Sequence, residues 1–166
     1  MRRGTYMQSD IFESFRYGQI FRFYPRGELA YGLKGYLVGG EACALVLTPT
    51  KAGLRPGDLM NVSEVGPAMA VDNVKFVLPV RGEGIFPGAG NIAQPAEIEI
   101  RCGGMIFVTQ PQDRGNLILR VDLESGGIGR ADGERPTEIY SCWSLVRANA
   151  HNHETIYEHK PLAQAA

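Results

Sequence analysis

The most apolar part of the chain is LAYGLKGYLVGGEACALVL, residues 29–47. Two runs rich in aliphatic and aromatic residues, 29–38 and 42–47, flank a Gly39-Gly40 turn, and this pattern predicts two β-strands. Similar short runs, separated by turn residues, recur along the chain. They predict further strands near residues 19–24, 59–65, 72–77, 97–101, 105–109, 116–123 and 138–147. We therefore predict an all-β protein with less than about 15 % helix.

The composition supports this prediction and limits the size of the protein. The 166 residues include 21 Gly and 10 Pro, which interrupt helices and permit tight turns. This length suffices for one ordinary domain or two small ones, so a large multidomain enzyme is excluded. The net charge of −1 provides no bulk attraction to nucleic acid or to an anionic membrane.

The cysteines and the N-terminus bear on the compartment. Cys43, Cys102 and Cys142 are widely spaced and form no CxxC pair, which is not typical of a disulfide framework or a zinc site. The N-terminal residues provide no apolar signal-peptide core, and a membrane-spanning helix would need about 20 mostly apolar residues. We expect a cytoplasmic protein without a membrane anchor and without a cofactor.

A change of composition near the middle of the chain predicts a linker. Residues 79–95 contain three Pro and four Gly and follow neither a helical nor a strand period. This segment separates residues 1–78 from residues 96–166, and each part has about five strand signals. We predict two small five-stranded barrels in tandem, the second with a polar C-terminal tail. One β-sandwich or one larger barrel is the alternative.

Aromatic and basic residues concentrate near the N-terminus. Nine of the 15 aromatic side chains lie between Tyr6 and Tyr36, and residues 1–55 contain eight Lys or Arg against four acidic residues. The run FRYGQIFRFYPR, residues 15–26, intersperses rings with guanidinium groups, which can stack on bases and neutralise phosphates. An amphipathic strand whose rings fill the core while its arginines face water would show the same pattern.

Four short segments of the first half resemble the cold-shock family, whose five-stranded OB-like barrels bind single-stranded nucleic acid. Residues 18–23 resemble its first strand, and residues 39–48 resemble its turn and third strand. Residues 52–58 resemble the long connection before the fourth strand, and residues 66–74 resemble the close of the domain. The resemblance extends over residues 18–77 and implies an OB-like barrel for the first half.

The second half follows the same order more faintly. Leu45–Thr48 and Leu119–Asp122 are offset by 74 residues, and Gly53-Leu54 and Gly127-Ile128 have the same offset. This spacing predicts a tandem repeat.

The resemblance to the cold-shock family implies weak, largely sequence-independent binding of single-stranded RNA or DNA by the first barrel. The predicted surface combines rings for base stacking with cations for phosphates: Phe21, Phe23, Tyr31, Tyr36, Arg22, Arg26 and Lys34. The third strands, however, lack the exposed rings of the family, since residues 43–47 read CALVL. The alternative is a structural or protein-interaction β domain that uses the aromatic residues as core or as a protein interface.

Two further patterns concern small ligands. Arg2-Arg3 and residues 61–66 (NVSEVG) resemble the PilZ family, which implies a third function, a cyclic dinucleotide receptor. His151, His153 and His159 lie near the C-terminus, where a His-x-His step can bind a metal; a solvated tail is the simpler interpretation, and we predict no metal site. The motifs of phosphate-binding loops, hydrolase elbows and zinc proteases are absent from the sequence, and we predict no enzyme.

Overall fold

The computed structural model describes residues 12–37, 39–79, 93–111, 117–130 and 135–161. The prediction of an all-β chain is confirmed, since strands account for 47 % of the described residues and helical turns for 8 %. The longest described helix, Val62–Val65, has four residues. The predicted limit on helix content therefore holds over the described part of the chain.

Thirteen strands form within the described residues. Before the Gly/Pro-rich segment lie β1 (Ile20–Phe23), β2 (Ala30–Leu37), β3 (Ala42–Val46), β4 (Leu59–Asn61), β5 (Ala68–Ala70) and β6 (Val74–Val77). After it lie β7 (Ile98–Arg101), β8 (Gly104–Thr109), β9 (Leu119–Asp122), β10 (Gly127–Gly129), β11 (Glu138–Tyr140), β12 (Trp143–Ala148) and β13 (His153–His159). Helical turns occupy Phe12–Ser14, Pro25–Gly27 and α1 (Val62–Val65).

Strands β1–β5 and β7–β11 follow the same order in the large sheet. The order is β5-β1-β2-β3-β4 in the first half and β11-β7-β8-β9-β10 in the second. All neighbouring pairs within each group are antiparallel. One parallel pair, β2 with β10, joins the two groups, with Tyr36 opposite Gly127 and Leu37 opposite Ile128. The two halves therefore share one sheet of ten strands.

A second sheet, of three strands, also combines both halves. Its middle strand, β12, pairs antiparallel with β6 on one side and with β13 on the other. In the chain β6 follows β5 as β12 follows β11. Strands β6 and β12, which occupy equivalent places in the two halves, are therefore paired with each other.

The largest hydrophobic cluster lies between the two halves. Its buried members are Ile20, Tyr31, Leu33, Cys43, Leu45, Leu47, Val74, Phe76, Ala96, Ile98, Phe107, Leu119, Val121, Leu123, Ile128, Trp143 and Leu145. The Trp143 ring lies 5.5 Å from Phe76 of the first half and 5.7 Å from Phe107 of the second, measured between centroids. Burial of a large apolar side chain contributes about 1.5–3 kcal/mol, so this shared cluster couples the stability of the two halves.

The prediction of two OB-like barrels is not confirmed, because the described strands do not close into barrels. In the first half, β4 and β5 lie at opposite ends of the strand order and do not pair. One apolar face of each half is covered by residues of the other half, and the second apolar face of the first half is covered by its own N-terminal turn and α1. The domain boundary at residues 79–95 stays a prediction, since residues 80–92 lie outside the described part.

Two local expectations are corrected. The strand predicted at residues 59–65 ends at Asn61, and the next four residues form α1. Helical spacing brings Val62 and Val65 onto the same hydrophobic cluster, which a strand would not do. The predicted polar tail contains β13, which pairs with β12 from His153 to His159 with one register shift at Ile156.

Glycines allow the two halves to approach closely where β2 meets β10. Within the first half, the N–H of Gly18 donates to the Lys34 carbonyl at 2.7 Å. Between the halves, the N–H of Tyr36 donates to the Gly126 carbonyl at 2.9 Å. Gly126 has a φ of +78°, and a Cβ there would lie 2.5 Å from the Lys34 oxygen and 2.7 Å from the Gly18 nitrogen. A Cβ at Gly35 would lie 2.8 Å from the Gly126 oxygen. A side chain at either position would displace the backbone of the other half.

We expect Gly126→Ala to lower the free energy of unfolding by at least about 2 kcal/mol, because left-handed strain of about 1–2 kcal/mol adds to overpacking of about 1–3 kcal/mol. Gly103 is the matched control, since its φ is also +78° but no atom lies within 4 Å of its Cβ position. Gly103→Ala should show the strain alone. Urea denaturation measures both variants, and equal losses would contradict a role for the close approach.

A buried carboxylate lies on the outer face of the second half. The Glu99 side chain is 1 % exposed and pairs with Arg101 Nη2 at 2.7 Å and with Arg120 Nε at 2.6 Å. Ile139 stands directly opposite Glu99 in β11 and belongs to a small apolar cluster on this face. Charge-assisted hydrogen bonds from these two arginines, three in the described structure, offset the desolvation of the carboxylate.

We expect Glu99→Gln to destabilise the protein by about 3–5 kcal/mol, because it leaves two largely buried arginines without their carboxylate. Glu158→Gln is the control, since Glu158 forms an exposed pair with Lys160 at 3.4 Å. Loss of an exposed pair should cost less than about 1 kcal/mol. Thermal or urea denaturation provides both values, and a cost for Glu99→Gln as small as that of the control would contradict the expectation.

Candidate functional site

The two phenylalanines of β1 that were predicted to stack on bases are core residues. Phe21 and Phe23 are both 0 % exposed, and their ring centroids lie 5.4 Å apart. Phe12 and Phe15 of the N-terminal turn cover Phe21, with centroids 5.2 and 5.7 Å away. A fully buried ring has no face available to a base. Phe21 and Phe23 are therefore core residues and are not available for base stacking.

Lys34 is also buried, which corrects its predicted role as a phosphate contact. Its ammonium donates to the carbonyl oxygens of Glu13 at 2.9 Å and Phe15 at 2.8 Å. It also lies 5.2 Å from the ring centroid of Phe12 and 5.0 Å from that of Tyr17. Desolvation lowers the pKa of Lys34, and the charge of Glu13 partly opposes this shift. The ammonium therefore holds the N-terminal turn against β2.

Two predicted residues reach the surface, but far from each other. Arg26 is exposed in the turn before β2, with a φ of +51°. Tyr36 lies near the other end of β2 and packs against the Tyr17 ring, with centroids 4.7 Å apart. The strand between them spans about 20 Å. The seven predicted residues therefore do not form one continuous surface.

Arg22 and Tyr31 lie on the opposite face of β1 and β2, toward the cluster shared by the two halves. Because side chains alternate along a strand, Arg22 projects away from Phe21 and Phe23. Arg22 stands directly opposite Tyr31 in β2 and Met69 in β5. The Tyr31 hydroxyl accepts a hydrogen bond of 2.7 Å from Nη2 of Arg147 in β12. We call Arg22, Tyr31 and Arg147 the arginine cluster.

The donors of Arg22 are poorly satisfied. Its Nη2 lies 3.0 Å from the sulfur of Met69, a weak acceptor. Its Nε is buried and has no hydrogen-bond partner among the described residues. Nη1 of Arg147 forms a long ion pair with Oε2 of Glu154, at 3.7 Å. Leaving a buried donor unpaired costs about 1–3 kcal/mol, and more for a charged group, so Arg22 is a candidate for ligand binding.

Sequence reasoning identified Arg22 and Tyr31 but missed Arg147 and Met69. Tyr31 and Arg147 are 116 positions apart, and no local pattern indicates that β12 packs over β1 and β2. The available signal was Arg22 itself, an arginine between two core phenylalanines. The sequence predicts Arg22 as a phosphate contact or, in the alternative, as a side chain that faces water, because the second half that covers this face is remote in sequence.

A second polar group lies in β13. The His159 ring stacks on Trp143, with centroids 5.0 Å apart and planes inclined by 18°, and its Nδ1 lies 2.9 Å from the Tyr157 hydroxyl. Burial lowers the pKa of His159 and raises the pKa of Tyr157. A neutral His159 can accept the proton of this hydrogen bond at Nδ1. His151 and His153 are exposed.

Metal binding, membrane insertion and the PilZ-like pattern receive no further support here. Within the described ranges, no group of three or more His, Cys, Asp or Glu side chains could hold a metal ion. The helices in this part of the chain are all too short or too polar to cross a membrane. Arg2 and Arg3 lie outside the described residues, and residues 61–66 contain α1.

Comparisons with known proteins do not assign the chain to a family. No protein-family model, curated protein or solved structure matches it. Function must therefore be inferred from the chemistry of the side chains. The Nε of Arg22 in the arginine cluster is the buried side-chain nitrogen or oxygen that lacks a hydrogen-bond partner among the described residues.

We expect acid to destabilise the protein through His159. Since the folded-state pKa lies below the ordinary value of about 6.5, the unfolded chain binds more protons, and stability falls as the pH drops through about 6.5. His159→Phe keeps a ring on Trp143 and should reduce the loss of stability between pH 7.5 and pH 5.5, whereas His153→Phe, at an exposed site, should keep it. Urea denaturation across this range measures the effect, and an unchanged pH dependence in His159→Phe would contradict it.

Proposed function

We propose that the protein is a non-enzymatic binding protein that holds an anionic group, a phosphate or a carboxylate, at the arginine cluster. The observation that carries this proposal is the buried Nε of Arg22, which has no hydrogen-bond partner among the described residues. A guanidinium offers five N–H donors in a planar fork that matches carboxylate and phosphate oxygens. An anion would satisfy donors that the Met69 sulfur cannot.

The local charge favours an anion over a cation. None of the ion pairs within the described ranges includes Arg22, and the nearest strand neighbours of Arg22 are the uncharged Tyr31 and Met69. Charges interact more strongly at a partly buried site than in bulk water. A cationic ligand would be repelled there, whereas an anion would neutralise a partly buried guanidinium.

Tyr31 adds a third donor to the cluster. Its oxygen accepts from Arg147 Nη2, which leaves the hydroxyl hydrogen available to a ligand. Arg147 is positioned by this contact and by Glu154. Two guanidinium groups and a hydroxyl are suited to holding an anion by charge and by hydrogen bonds, which favours a binding role.

Binding of single-stranded nucleic acid remains a second proposal. Exposed Tyr17 and Tyr24 side chains, and exposed Arg26 in the β1–β2 turn, favour it, since surface rings and cations bind unpaired strands. The relationship to the cold-shock family and the tandem repeat also remain proposals, and the common strand order of the two halves supports the repeat. A purely structural or protein-interaction role is the third possibility.

Arg22→Met tests the proposed anion site, because methionine fills similar space without donors. Without phosphate, we expect this variant to be as stable as the parent or more stable, since a buried unpaired donor costs about 1–3 kcal/mol. Inorganic phosphate at ten times its dissociation constant should stabilise the parent by about 1.4 kcal/mol and should not stabilise the variant. Urea denaturation in phosphate and in chloride of equal ionic strength measures the difference.

Arg26→Met is the matched control, because Arg26 is exposed and lies in a turn on the same hairpin. It should keep the full stabilisation by phosphate. Equal stabilisation of the parent and Arg22→Met, or no stabilisation of the parent at saturating phosphate, would contradict the proposal.

A further inference from the structure

We infer that the anion bound by the arginine cluster carries a planar aromatic ring, as a nucleoside monophosphate does, and that Tyr24 stacks on that ring. This inference rests on the proposed anion site and specifies the class of its ligand. The proposed ring site lies on the same face of the sheet as Arg22, at the end where β1 turns into β2.

Tyr24 follows Arg22 on the same side of the hairpin. It is two residues beyond Arg22, and side chains two residues apart in an extended chain share a face. The last pair between β1 and β2 is Phe23 with Ala30, so the next positions along the hairpin are Tyr24 and Leu29. The face therefore continues from Arg22 and Tyr31 to Tyr24 and Leu29.

Both residues at this end are unusually exposed for their type. Tyr24 is 52 % exposed and Leu29 is 47 % exposed, and they are two of the four large hydrophobic residues classed as exposed within the described ranges. Phe21 and Phe23 of the same strand are fully buried. Exposed apolar surface thus lies two positions along the same face from Arg22, an arrangement that suits a ligand with one charged end and one apolar end.

The backbone spacing between Arg22 and Tyr24 allows one small phosphorylated molecule to contact both side chains. In an extended chain, the Cα atoms of Arg22 and Tyr24 lie about 6.8 Å apart. A pentose separates a phosphate from a base by a comparable length. With phosphate oxygens on the arginine cluster, a base could lie on the exposed Tyr24 ring while Leu29 contacts its edge.

A mononucleotide fits this face better than a long strand. A strand of nucleic acid needs successive rings for successive bases, and the neighbouring rings of β1 are buried. The exposed ring of Tyr17 belongs to the other end of β2, where it packs against Tyr36. One ring beside one anion site therefore accommodates one base and one phosphate.

The experiment compares adenosine monophosphate with ribose 5-phosphate, which has the same phosphate and sugar but no base. Isothermal titration of the parent should show the nucleotide binding about 5- to 150-fold more tightly, which corresponds to about 1–3 kcal/mol for one stacked base. Tyr24→Ala should remove this ratio and leave the affinity for ribose 5-phosphate unchanged. Tyr24→Phe, which keeps the ring, and Tyr17→Ala, which removes a different exposed ring, should both keep the ratio.

Equal affinities of the parent for the two compounds, or an unchanged ratio in Tyr24→Ala, would overturn the inference while leaving the anion site intact. If ribose 5-phosphate binds the parent and Arg22→Met equally, or binds neither, the proposed function itself fails. A single-stranded ten-nucleotide oligomer should bind no more than about tenfold more tightly than the mononucleotide. Much tighter and strongly salt-dependent binding of the oligomer would overturn the inference in favour of nucleic-acid binding.

Discussion

The close contact of Gly126 with β2 is the constraint on which the rest of the structure depends. Because Gly18, Gly35 and Gly126 carry no Cβ, the turn before β10 can reach the Lys34 carbonyl and start the parallel pair that joins the halves. The apolar sides of both halves then cover each other, and Trp143 fills the space between them. Neither half needs to close a barrel to bury its own core.

This arrangement buries the sheet of the first half on both faces. The N-terminal turn covers one face through Phe12 and Phe15, and the second half covers the other. Lys34 is thereby buried, and Arg22 is partly buried with its Nε shielded from water. Lys34 is satisfied by two backbone carbonyls, whereas Arg22 has a thioether as its only partner among the described residues. The difference separates a structural cation from a candidate ligand-binding one.

The second half contains an internal comparison for the arginine cluster. There, Arg101 and Arg120 share the buried carboxylate of Glu99. On the face of the first half that the second half covers, Arg22 of β1 and Arg147 of β12 border Tyr31, and the ion pairs of the described residues give this group one carboxylate, the exposed Glu154, which pairs with Arg147. A bound phosphate or carboxylate would provide what Glu99 provides in the other half. The same chemistry that stabilises one half would then recognise a ligand in the other.

Local patterns in the sequence were sufficient to identify the fold class and most strand positions. The runs at 29–38 and 42–47 became β2 and β3 because alternation and glycine turns act between near neighbours. The burial of Phe21, Phe23 and Lys34, and the meeting of Tyr31 with Arg147, depend instead on which surfaces cover each strand. Those surfaces come from segments up to 116 positions away, and periodicity contains no information about them. The alternation along a strand separates the side chains into two faces. Only packing between the halves determines which face is exposed to solvent and which guanidinium is left without a partner.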